Sequence, residues 1–177
     1  MNRITLISVW AALCLAVVAA FVGSRTMAQE SSVAPSQGPV VLEISGRIMA
    51  SAPEQSFVFD IAGLEGLGTT DILTETPWTT GVVTFTGVRL RDILNAVDAQ
   101  GSAVMATALN DYSITIPKED SDMYDVIVAT RQDGRLMTVR DRGPLWVIYP
   151  WSDRSELRNE VYYARSIWQL MSLEVLE

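Results

Sequence analysis

Turn residues divide the chain beyond residue 40 into short apolar runs, most of them too short to be helices. Strand-like runs lie at 40–48, 55–60, 82–85, 103–109, 112–116, 126–131, 136–139, 145–149 and 167–175. Asp133-Gly134 falls between two of them and reads as a tight hairpin turn. One longer segment, 88–97, has helical spacing: Leu90, Ile93, Leu94 and Val97 share a face, and Arg89, Arg91, Asp92 and Asn95 point away from it. Shorter pieces complete the reading. Asp60 caps a helix over 61–67 that ends at Gly68, and 119–123 makes one helical turn. The segment 154–165 is a polar loop or a frayed helix. Residues 49–54, with Pro53, form a turn, and 69–81, Thr-rich with Pro77-Trp78, an irregular loop. Many strands with few short helices mean an α+β domain built on mixed sheets.

The N-terminus has a different character. Arg3 precedes an apolar run over 4–22, and Thr26-Met27-Ala28 precedes Gln29, which is the pattern of a secretory signal peptide over 1–28. An uncleaved membrane anchor is the alternative, since the run approaches the length of a span. A Pro- and Ser-containing linker, 29–39, leads to a single domain over 40–177, long enough to bury a core. Export places that domain in the periplasm.

Charge and residue content narrow the chemistry. The chain has 13 basic and 21 acidic residues; removal of Arg3 and Arg25 with the signal leaves 11 minus 21, or −10. Such a balance argues against a nucleic-acid partner. The only cysteine, Cys14, lies in the apolar run, and there is no histidine. The domain beyond the signal therefore has no disulfide, no Ser-His-Asp or Cys-His nucleophile, and no nitrogen or sulfur ligand set for zinc. The acidic group Glu119, Asp120, Asp122 and Asp125 lacks the glycine and the ligand order of a calcium loop and reads as a solvated turn.

Five segments carry a family resemblance. Thr76-Pro77-Trp78-Thr79-Thr80-Gly81 is followed by Phe85-Thr86-Gly87-Val88-Arg89-Leu90-Arg91-Asp92-Ile93-Leu94. Leu109-Asn110-Asp111-Tyr112 opens a later strand, with Asn110-Asp111 where the pattern usually has Asp-Gly. Gly143-Pro144-Leu145 runs to Tyr149-Pro150-Trp151, and Arg165-Ser166-Ile167 runs to Leu173-Glu174-Val175. Together they resemble the molybdopterin-binding domain of the sulfite oxidase family. The resemblance implies that family's α+β fold and a pterin-type cofactor. The departures are chemical. Catalytic members hold molybdenum through a cysteine ahead of the tryptophan, absent here; Trp146 stands where they have arginine, and Arg165 where they have lysine. Residues 152–163 replace their glycine- and lysine-containing phosphate loop. The chain in this respect is similar to short periplasmic regulators that bind a metal-free pterin and control a membrane signalling protein, often of the cyclic di-GMP type. That resemblance implies a non-catalytic module, with a molybdopterin-dependent oxidoreductase as the alternative.

A pterin ring asks for an aromatic or apolar face and an acceptor opposite its guanidine-like edge. Trp78, Tyr149, Trp151 and Trp168 are candidate platforms, with core packing the stronger reading for Trp146 and Trp168. Asp111 is the first candidate carboxylate, followed by Asp153 or Glu156, and Asn110 and Tyr112 lie beside it. For Asn110 and Asp111 the alternative is a turn that bonds its own backbone. Arg154 and Arg165 are candidates for a phosphate or polyol tail, with ion pairs to Glu156 or Glu160 as the alternative.

Overall fold

A computed structural model describes residues 38–48 and 56–177. The expected signal segment over 1–28, the linker as far as residue 37 and the turn over 49–54 lie outside them.

Among the described residues ten strands form two sheets. The first runs in the order β2 (Phe57–Phe59), β1 (Leu42–Gly46), β10 (Leu170–Leu176), β5 (Ala103–Ala108) and β6 (Ser113–Pro117). β1 and β10 pair in parallel, with Ile44 opposite Leu173, and the other pairings are antiparallel. The second sheet runs β3 (Thr70–Thr74), β4 (Val83–Arg89), β7 (Ile127–Gln132) and β8 (Arg135–Leu136), with β9 (Trp146–Ile148) also paired to β7. Strands of one buried face alternate: in β5, Val104, Ala106 and Ala108 point inward while Met105 and Thr107 do not. β7 is covered on both faces, so Ile127, Val128, Ala129 and Thr130 are all buried and no alternation shows in its sequence. Inward residues of both sheets belong to one continuous core.

Among the described residues four short helices connect the strands: α1 (Ile61–Glu65), α2 (Leu90–Ala96), α3 (Lys118–Met123) and α4 (Glu160–Arg165). Asp60 caps α1 as its sequence implied. One carboxylate oxygen accepts from Gly63 N at 2.7 Å, and the other accepts from Gly38 N at 2.6 Å.

Several expectations are corrected. The segment 69–81 is not irregular throughout. Its first part is β3, where Ile72 and Thr74 are buried and Asp71 and Leu73 exposed; only the part after Thr74 leaves the sheet. The helix expected from residue 88 begins at Leu90, because β4 continues through Arg89 with Val88 opposite Val128. Gly87 makes that continuation possible: a Cβ there would lie 2.3 Å from Val128 O. The strand expected over 136–139 is paired only at Arg135–Leu136, and a 3₁₀ turn, Val139–Asp141, follows. Residues 154–165 hold a 3₁₀ turn, Ser155–Leu157, and then α4. The final strand begins at Leu170, after an isolated bridge between Trp146 and Trp168.

Candidate functional site

The end of β5, the β5–β6 turn and α4 surround an apolar pocket of about 400 Å³, floored by Trp78 and Trp168. That volume suits a small ring ligand. Ala108 comes from β5, Asn110 and Tyr112 from the turn, and Glu160, Tyr163 and Ala164 from α4; Ser166, Ile167 and Trp168 close the circuit.

Trp78 is the hub of an aromatic cluster. Its ring centroid lies 5.5 Å from Trp168, 5.8 Å from Trp146, 6.0 Å from Trp151 and 6.0 Å from Tyr163. Most of these contacts are edge to face, the arrangement that the ring quadrupoles favour. A local turn aims the residue: Thr76 Oγ1 accepts from Trp78 N at 3.1 Å and shares a 2.8 Å hydrogen bond with Thr79 Oγ1. Trp78 is therefore held by its own hydroxyl-rich segment and remains only half-buried.

The β5–β6 turn explains the placement of Asn110 and Asp111. Asp111 N donates to Ala108 O at 3.0 Å, and Asp111 has φ +65°, where the related pattern has glycine. Asn110 Oδ1 accepts from Tyr112 N at 3.2 Å, which fixes the side chain at the mouth of the pocket. Asn110 and Tyr112 line the pocket; Asp111 does not.

The other candidates are divided among different places. Tyr149 is fully buried and Trp151 nearly so, and neither lines the pocket; Trp151 supports Trp78 from behind. Burial, and then the charge of Asp120, push the Tyr149 hydroxyl far above the ordinary phenol range, and it donates to Asp120 Oδ2 at 2.7 Å. The same oxygen accepts from Arg165 Nη1 at 2.9 Å. Arg165 is thus committed to the interior side of α4, with its guanidinium 5.4 Å from the Tyr162 ring centroid. The Tyr162 hydroxyl is pushed up to about 12 by its hydrogen bond to Tyr124, with burial adding to the effect. Arg154 is exposed, lies 3.8 Å from Glu156, and faces a separate groove that also holds Asp153. Trp146 is core, as its strand pattern implied; Trp168 is 37% exposed and lines the pocket.

Sequence reasoning missed Glu160 and Tyr163. Glu160 is the carboxylate that lines the pocket among the described residues, and it forms no ion pair there. The signal available was Asn159, whose Oδ1 accepts from Val161 N at 3.0 Å and caps α4. With that helix recognised, Glu160 and Tyr163 fall one turn apart on a single face.

The segment ahead of Trp78, where the resemblance calls for a metal-binding cysteine, offers hydroxyls. Thr74 is buried, and its Oγ1 is engaged with Glu75 O at 3.0 Å and accepts from Ser152 N at 3.0 Å. Among the described residues no group of three or more histidine, cysteine, aspartate or glutamate side chains converges on one point. These donors do not fit a metal held through thiolate sulfur, whereas the aromatic walls, Asn110 and Glu160 fit a flat heterocycle with donors along one edge. No curated protein matches the sequence. Residues 47–153, more than half of the chain, match the family described as oxidoreductase molybdopterin binding domain, and the chain belongs to that family.

Proposed function

We propose that this protein binds a metal-free pterin in the pocket floored by Trp78 and Trp168, acts in the periplasm after removal of its signal peptide, and reports occupancy to the periplasmic part of a membrane signalling protein of the cyclic di-GMP type. Support for the ligand comes from one observation above the others: a cavity of ring-ligand size with aromatic walls places the amide of Asn110 and the carboxylate of Glu160 at its rim. A pterin offers donors along its pyrimidine edge and an apolar face to the indoles. The periplasmic location rests on the N-terminal sequence pattern and the partner on the resemblance to short periplasmic regulators.

Family membership favours a second reading, a molybdopterin-dependent oxidoreductase. One preparation separates the two. Protein expressed with its own N-terminus in a host that makes the molybdenum cofactor is purified and denatured. The released material is analysed by pterin fluorescence, mass spectrometry and molybdenum content. A pterin at about one equivalent without molybdenum supports the binding module; stoichiometric molybdenum establishes the oxidoreductase. Release of no pterin, together with no binding of added reduced pterins at micromolar concentration, removes the proposal.

A further inference from the structure

The chain is acidic, yet one groove is not. Between the β7–β8 turn and the 3₁₀ turn Val139–Asp141, Arg135, Arg140 and Arg142 line a polar cavity of about 580 Å³. None of the three guanidinium groups has a carboxylate within ion-pair distance among the described residues. Two carboxylates, Asp133 and Asp141, also line the groove, and each is turned to a local partner: Asp133 Oδ1 accepts from Thr84 N at 3.1 Å, and Asp141 Oδ2 from Thr138 Oγ1 at 2.7 Å. The groove therefore holds three cations against two occupied anions.

One of the three arginines is held in place. Arg142 has φ +67°, a conformation unfavourable for a side chain of its size, and its carbonyl accepts from Gln169 N at 2.9 Å. Its guanidinium lies 5.4 Å from the Trp146 ring centroid and 5.9 Å from that of Trp168. Gly143 presses this segment against Met137, just beyond Arg135: a Cβ at Gly143 would lie 2.4 Å from Met137 O. Guanidinium groups are planar and permanently charged and match the oxygen geometry of a phosphate group, and three of them offer more donors than one carboxylate has lone pairs.

We propose that this groove is an anion site for a phosphate group. The phosphate comes either from a free phosphate or phosphate ester, or from an ester carried by the molecule in the aromatic pocket, since Trp168 lines that pocket and stacks on Arg142. The site does not require the pocket ligand to be a pterin.

The test titrates the purified protein with inorganic phosphate at low ionic strength by calorimetry, comparing wild type with Arg135→Gln/Arg140→Gln and with Arg47→Gln/Arg91→Gln, a pair that removes the same charge elsewhere. Saturable binding that weakens by about tenfold or more in the first pair and stays within about twofold in the second is the expected result. No saturable binding by wild type, or equal weakening in both pairs, overturns the site. Circular dichroism confirms that the variants fold. A second arm distinguishes the sources: a phosphorylated pterin and its dephosphorylated form are compared. A gain from the phosphate that disappears in Arg135→Gln/Arg140→Gln assigns it to the pocket ligand, and equal affinities assign the groove to a free phosphate. Failure of both pterins to bind, with inorganic phosphate still bound, overturns the pterin reading and leaves the anion site standing.

Discussion

Asp120 on α3 and Arg165 at the end of α4 form a 2.9 Å ion pair, buried on the carboxylate side, and the hydroxyl of Tyr149 donates to the same oxygen. This pair ties the helix that supplies Glu160 and Tyr163 to the body of the domain. Asp120→Ala leaves a guanidinium and a phenol without their acceptor, so a loss of about 3 kcal/mol is expected in urea unfolding. Pocket-ligand affinity falls in the same variant, because α4 is no longer held in place. Unchanged stability in Asp120→Ala would contradict this account of α4.

The pair Glu65 and Arg131 predicts acid sensitivity. A hydrogen bond from the Arg131 guanidinium, first, and one from Thr130 Oγ1 hold the Glu65 carboxyl below its ordinary value of 4.5, against the opposing effect of burial. A group whose folded pKa is depressed contributes stability that is present above its unfolded pKa and is lost as pH falls through the folded value. Glu65→Gln is therefore expected to destabilise by about 1 kcal/mol at pH 7 and by much less near pH 3. Thermal melts of both proteins at the two pH values measure the difference.

Trp146 and Trp151 are both buried, but their indole N–H groups are in opposite situations. Trp146 Nε1 donates to Ser166 O at 3.0 Å, while Trp151 Nε1 has no hydrogen-bond partner among the described residues. Trp146→Phe leaves a buried carbonyl without its donor and removes ring volume, whereas Trp151→Phe loses volume but also removes an unmet donor. The first substitution is expected to cost roughly 1–2 kcal/mol more than the second, read from denaturant midpoints at constant m-value.

Asp111→Gly tests the turn. At φ +65° an exposed aspartate is held where glycine is at ease, so the substitution is expected to raise stability by about 0.5 kcal/mol and to leave ligand binding unchanged. Asn110→Ala and Glu160→Gln act the other way. Both side chains are exposed at the pocket rim, so stability stays within about 0.5 kcal/mol. Pocket-ligand affinity drops about tenfold in each.

The degree to which the sequence revealed the molecule follows from how local each signal is. Turn chemistry located Asp133-Gly134, and the cap at Asp60 and the amphipathic face of α2 were equally plain, because each depends on residues within a few positions of one another. β3 was missed because its threonines and Asp71 resemble a loop until β4 lies beside them. Trp78 could be picked out as an aromatic without periodicity around it. Trp168 could not be separated from core residues, because its exposure depends on where β10 begins pairing. The same limit applied to Tyr149 and Trp151: Pro150 suggested a rim, but residues distant in sequence, Asp120 and Trp78, cover them.

The parallel pairing of β1 with β10 has a kinetic consequence. The first and last strands of the domain are neighbours inside one sheet, and β10 separates β1 from β5, so the sheet has no middle until its final residues are available. In a growing chain the second sheet, whose strands all lie between residues 70 and 148, can pair early, while the first stays in two pieces, β1 with β2 and β5 with β6, until β10 is available. For a protein that we propose to be exported, the first sheet, and the pocket wall that β5 supplies, are completed only after β10 has followed the rest of the domain.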